Sequence, residues 1–200
     1  MATATAKHEL DMTNGPMFRK LIVFAIPIIL TNVLQILFNA ADIAVLGIMP
    51  NGGENAVAAV GATTSLVSLV TSLFIGLSTG AQIVVSRKMG ENDLEGARKA
   101  VGTSVWVSIV GGLLLVAVGV PFAKTFLTWM KCPSEIIEMA TVYLMIYFAG
   151  MPIMMLYNFL ASILRAVGDS MRPMIILAIG GVINVGLNVF FLAVVGWNAE

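Results

Sequence analysis

The stretch LIVFAIPIILTNVLQILFNAA (residues 21–41) decides the fold. It runs from Lys20 to Asp42 without a charged residue, long enough to match the ~20 apolar residues that cross a ~30 Å hydrocarbon core. A buried helix of a water-soluble domain rarely stays uncharged for so long. In lipid every backbone N–H and C=O must be paired within its own segment, so an isolated span has to be helical. Working outward, residues 55–86, 100–123, 139–164 and 173–199 are also free of charge. A membrane barrel would instead show ~10-residue segments of alternating hydrophobicity. The run Gly111-Gly112-Leu113-Leu114-Leu115-Val116-Ala117-Val118 does not alternate. The sequence therefore predicts an all-α, polytopic transmembrane bundle over 17–200, with helices at about 17–47, 55–86, 96–123, 135–164 and 172–196, preceded by a polar tail at 1–16. The first apolar stretch is too long for the core of a signal peptide and lacks a small-residue cleavage site followed by a polar domain, so it reads as a retained helix.

Composition agrees. Of 200 residues, 58% are hydrophobic and only 11% charged, against ~25% charged in an average soluble domain. Mean hydropathy is +0.95. Eleven basic residues balance eleven acidic ones, so the basic patch that nucleic-acid binding requires is missing from the balance, and no nucleic-acid partner is expected. Cys132 is the sole cysteine and His8, in the tail, the sole histidine. Disulfides, cysteine or histidine metal clusters and Ser-His or Cys-His pairs within the spans are thereby excluded. Neither an enzyme nor a cofactor is expected.

Lysine and arginine give the orientation. Lys7, Arg19, Lys20, Arg87, Lys88, Arg98, Lys99, Arg165 and Arg172 fall on one side, and only Lys124 and Lys131 on the other. The positive-inside rule puts the first set, and the N-terminus, in the cytoplasm. Trp129 and Trp197 then mark the outer boundary, where indoles favour the headgroup region.

Helix 1 carries an unusual edge. Asn32, Gln35, Asn39 and Asp42 recur at steps of three and four, so they share one face. A carboxylate at a helix centre costs ~2.5–3.5 kcal/mol to insert, and leucine or isoleucine returns only ~0.3–0.6 each. Such an edge is expected to face the bundle interior or an aqueous cavity. The competing reading is positional: Asp42 lies about 33 Å along a straight helix from Lys20, near the outer interface. Helix 4 adds Tyr143, Tyr147 and Asn158, and helix 5 adds Asn184 and Asn188. Taken singly these are interhelical hydrogen-bonding groups; taken together they describe one polar pocket. Pro27 and Pro152 interrupt spans and permit bending, each either a fixed kink or a hinge. Small residues at steps of four, Ser68, Ser72, Gly76 and Gly80 in helix 2 and Ser104, Ser108 and Gly112 in helix 3, predict close helix packing.

Several segments together resemble the opening of bacterial multidrug and toxin extrusion (MATE) exporters. They are Met12-Thr13-Asn14-Gly15-Pro16, Ala25-Ile26-Pro27, Phe38-Asn39-Ala40-Ala41-Asp42, Ala58-Ala59-Val60-Gly61, Ser86-Arg87-Lys88-Met89-Gly90, and Leu164-Arg165-Ala166-Val167-Gly168-Asp169-Ser170-Met171-Arg172-Pro173. Asn184-Val185-Gly186-Leu187-Asn188 completes the set. The resemblance implies part of the N-terminal lobe of a twelve-helix, two-lobe transporter in a bacterial plasma membrane. It implies export of cationic or amphipathic small molecules coupled to inward H⁺ or Na⁺, with membrane lipid around the chain and a missing C-terminal lobe as its partner.

On matching positions, the resemblance assigns ion coupling to Gln35, Asp42, Tyr143, Asn158, Asn184 and Asn188. Asn32 and Asn39 lie on the same edge of helix 1, and Pro27 is a candidate hinge for its movement. Members with the full cluster often carry an acid where this chain has Asn188. One carboxylate should hold Na⁺ less strongly, so a proton at Asp42 is the simpler expectation, with Na⁺ there the alternative. The length fits a fragment of a longer product. A lipid-linked precursor flippase of the same superfamily and a non-transporting membrane scaffold are the rival readings. The flippase should place cationic residues deep in its spans, and none occurs here.

Overall fold

The structure is a computed structural model that describes residues 17–47 and 53–190. It consists of five helices: α1 (Met17–Gly47), α2 (Gly53–Gly90), α3 (Leu94–Trp129), α4 (Ile137–Ala166) and α5 (Met171–Phe190). All five are long and apolar enough to cross a membrane, and no strand occurs among the described residues. The tail at 1–16, Trp197 and the expected end of helix 5 at 196 lie outside the described residues. Helix 3 runs further than expected, through Pro121 and Lys124 to Trp129. It closes only where Lys131 adopts φ 56° and the Cys132 N–H donates to the Leu127 carbonyl at 3.0 Å.

Packing is uneven. α3 and α4 make the broadest contact, α2 lies against both, and α1 packs chiefly on α5. The α2–α3–α4 core is built from Ala59, Ala123, Leu127, Ala140, Leu144, Phe148 and Met151, continued by Phe74, Met155 and Phe159. The small residues of α3 set the approach to α4. Ser104, Ser108 and Gly112 are buried, and a Cβ on Gly112 would lie 2.5 Å from the Pro152 Cα. Gly119, two turns on, is covered by the Phe148 ring and extends the same seam.

The matching face of α2 meets no partner among the described residues. Ser68, Ser72, Gly76 and Gly80 are exposed, and a Cβ on either glycine would meet nothing within 4 Å. α2 packs instead through Ala59, Thr63, Phe74, Ser78 and Val85, a different face of the same helix. Small residues permit close approach, but they do not say which face the larger side chains will bury.

No water reaches hydrocarbon, and four buried hydroxyls of α2 and α3 are satisfied locally. Thr63, Ser78, Ser104 and Ser108 each donate to a carbonyl of their own helix, at 2.7–2.9 Å. Outside the spans, Asp93 caps α3 by accepting the Gly96 N–H at 2.8 Å. That bond first, and Lys88 beside it second, hold the Asp93 carboxyl below the usual carboxylate range. Glu91 is lowered likewise, by Lys88 and then Arg87. Both contributions are present at neutral pH and are lost only as pH falls through the lowered values, so this turn should survive mild acid.

Gly112→Val should lower the thermal midpoint of the protein in detergent by the equivalent of about 1–3 kcal/mol, the usual cost of overpacking a filled seam. Gly76→Ala, on the open face of α2, should change it by less than about 0.5 kcal/mol. Equal effects at the two positions would refute the assignment of faces.

Candidate functional site

The meeting of α1 and α5 is controlled by one glycine. The Phe38 ring lies where a Cβ on Gly181 would stand, so the two backbones approach as a larger residue would forbid. One turn beyond Phe38 on α1 comes Asp42; one and two turns beyond Gly181 on α5 come Asn184 and Asn188. The register therefore brings an acid and two amides together. Asn188 Nδ2 donates to Asp42 Oδ1 at 2.8 Å and to Asn184 Oδ1 at 3.2 Å. The first bond joins residues 146 positions apart and ties the two helices side chain to side chain.

Asp42 forms no ion pair among the described residues, so its carboxyl group is met by the Asn188 amide and not by a cation. A carboxylate so placed can take up a proton, and the amide oxygens beside it offer hard donors for a monovalent cation. No group of three or more His, Cys, Asp or Glu side chains that could hold a metal occurs among the described residues.

The other expected residues divide. Tyr143 and Tyr147 lie with ring centroids 6.4 Å apart on α4. The Tyr147 hydroxyl shares a hydrogen bond of 2.9 Å with Thr71 of α2. Thr71 adds a hydroxyl from α2 to the tyrosine pair of α4, and sequence reasoning misses it. It sits among other hydroxyl residues of α2 with no periodicity to single it out. Asn158 turns back on its own helix, donating to the Met154 carbonyl at 2.9 Å, and is not brought to Asp42 by any bond. Asn32, Gln35 and Asn39 are exposed and hydrogen-bond to nothing among the described residues. Pro27 is buried within a continuous α1, and Thr31 Oγ1 donates to its carbonyl at 2.7 Å.

At the other end of the bundle, the Leu164–Pro173 segment forms a braced turn. Gly168 takes φ 89°, which only glycine adopts without strain, and the Asp169 N–H donates to the Leu164 carbonyl at 2.9 Å. Asp169, fully buried, caps α5 by accepting the N–H groups of Met171 and Arg172 at 3.1 Å each. Its second oxygen lies 3.0 Å from Arg172 Nε, a charge contact off the line of a hydrogen bond. Tyr157 donates to the Pro173 carbonyl at 3.1 Å, Ser86 of α2 to the Ala166 carbonyl at 3.3 Å, and Ser170 to the Phe24 carbonyl of α1 at 3.1 Å. A groove of about 450 Å³ between α4 and α5, walled by residues such as Ile153, Leu160, Ile163 and Ile176, is apolar and contains none of the expected polar residues.

Comparison with known proteins follows the same lines. The family model described as MatE matches residues 27–190. The probable multidrug resistance protein YpnP of Bacillus subtilis (strain 168) is 31% identical over 186 residues, which is 92% of this chain and 41% of that protein. A crystal structure described as MATE in the straight conformation superimposes with a TM-score of 0.85 at 25% identity, over 96% of this chain and 42% of the other. One described as MATE in the bent conformation superimposes with a TM-score of 0.82 at 26% identity, over 92% and 40%. The chain thus spans about two fifths of the length of the proteins it matches. With five apolar helices and a family match over most of its length, this chain is a multi-pass membrane protein and belongs to the MatE family.

Proposed function

We propose that this chain is part of the N-terminal lobe of a secondary antiporter that exports drugs or toxic organic cations against inward H⁺ or Na⁺, with Asp42 as the coupling carboxylate. The bond from Asn188 to Asp42 carries this reading, because it makes the attachment of α1 to α5 depend on the charge of one acid. The name of YpnP supports drug export as the activity. The excess of lysine and arginine at one end of the bundle supports an N-terminus in the cytoplasm, and the Bacillus subtilis source of YpnP supports a bacterial cell membrane.

The coupling follows from hydrogen-bond strength. An ionised carboxylate accepts a bond roughly twice as strong as a neutral carboxyl does. When Asp42 takes a proton or a cation, the Asn188 bond weakens and the outer part of α1 is free to leave α5. Pro27 is the hinge, since proline removes one backbone bond and crowds the preceding turn. An ion shifts the balance only by its differential affinity for the two states, about 1–3 kcal/mol or 5- to 150-fold for typical coupling. Exposed Asn32, Gln35 and Asn39 continue the polar edge toward the space where a second lobe would close the cavity.

In the full-length protein in proteoliposomes, Asp42→Asn should cut export driven by a proton gradient at least about tenfold, near the middle of the coupling range. Undiminished export in this variant would end the proposal. Asn188→Asp adds a second carboxylate to the pair. It should raise the response of export to a Na⁺ gradient relative to a proton gradient, and an unchanged ion preference would contradict coupling through a lone acid at Asp42.

A further inference from the structure

The proline of α1 lies between two attachments of unequal kind. On its outer side, α1 meets α5 through Phe38 on Gly181 and through the Asn188–Asp42 bond, which depends on charge. On its inner side, one turn before Pro27, the Phe24 carbonyl accepts the Ser170 hydroxyl at 3.1 Å. That acceptor sits within the turn that Pro27 disturbs, where the missing proline N–H already leaves the Val23 carbonyl without its usual helical donor. Ser170 itself is buried, and its backbone is fixed between Gly168 and the Asp169 cap. The same turn is held to α2 by Ser86 and to α4 by the Tyr157 bond across to Pro173.

We infer that Ser170 is a positioning residue that latches the inner half of α1 to the braced α4–α5 turn, so that bending at Pro27 moves only the outer half that carries Asp42. This inference rests on the antiport reading and adds to it the side chain that holds the inner arm. A hinge transmits nothing unless one arm is held. The inner arm is held by a neutral hydroxyl-to-carbonyl bond that no ion can titrate, and the outer arm by a bond to a carboxylate. Uptake of an ion therefore releases one end of α1 and leaves the other in place. Among the described residues, Ser170 is the one side chain of the turn that hydrogen-bonds to the α1 backbone.

The test uses the full-length protein in lipid nanodiscs with its native cysteines replaced, Cys132→Ala among them, carrying spin-label pairs at Ile22 and Val107 for the inner half and at Leu37 and Phe122 for the outer half. Distances are measured by pulsed dipolar spectroscopy through an acid titration. With Ser170 present, the outer distance should shift and the inner one should stay. With Ser170→Ala, both should shift at the same midpoint, and Ser170→Thr, which keeps the hydroxyl, should restore the still inner half. An inner half that moves with the outer one when Ser170 is intact, or that stays still in Ser170→Ala, overturns the latch while leaving the hinge standing. An outer half that never shifts overturns the antiport reading and the latch together.

Discussion

Inside a bilayer there is no water to satisfy a polar group, and this constraint governs nearly every polar contact in the chain. Most hydroxyls meet it inside their own helix, as Thr31, Thr63 and Ser108 do, and Asn158 follows them. Such bonds hold nothing together between helices. The bonds that cross from one element to another are few, and they are where position is decided: Thr71 with Tyr147, Asn188 with Asp42, and the set around the α4–α5 turn.

Two bodies result. α2, α3 and α4 are packed through a glycine seam and an aromatic and aliphatic core, with large side chains such as Phe159, Leu127 and Leu144 almost wholly covered. α1 and α5 form a pair with little buried side-chain surface apart from Pro27, Thr31 and Pro173. Burial of apolar surface gives little drive for helices to associate in lipid, so the pair depends on steric fit at Gly181 and on polar contacts, which in membrane proteins contribute about 0.6–2 kcal/mol each. An attachment of that size is strong enough to define a resting state and, in the proposed mechanism, weak enough for one ion to undo. The firm body supplies the frame, and the loosely held pair carries the charge.

Much of this could be read in the sequence, and the reasons differ from element to element. The five helices were legible because charge is so costly in hydrocarbon that a stretch of 20 or more residues without it marks a membrane span, and a lone span must be helical. The α3 seam was legible because Ser104, Ser108 and Gly112 are small at a helical period and the facing residues fill the space. The same period in α2 has no partner among the described residues, since whether a small-residue face is used depends on what stands opposite it. The pairing of Asp42 with the helix 5 amides was suggested by residue type, but the register came from Phe38 fitting over Gly181, a contact between two apolar groups with no polar signature. Thr71 and the Ser170 contact were not legible. One is a hydroxyl among hydroxyls, and the other ends on a backbone carbonyl, which every residue possesses.

The central claim is that the charge state of Asp42 sets the bond between α1 and α5. Infrared difference spectroscopy of the full-length protein, recorded as substrate is added at constant pH, reads that charge state directly. The account predicts a change in the carboxyl stretching region that disappears in Asp42→Asn and moves in frequency in Asn188→Ala. A substrate-induced spectrum with no carboxyl change, or one identical in Asp42→Asn, would contradict it.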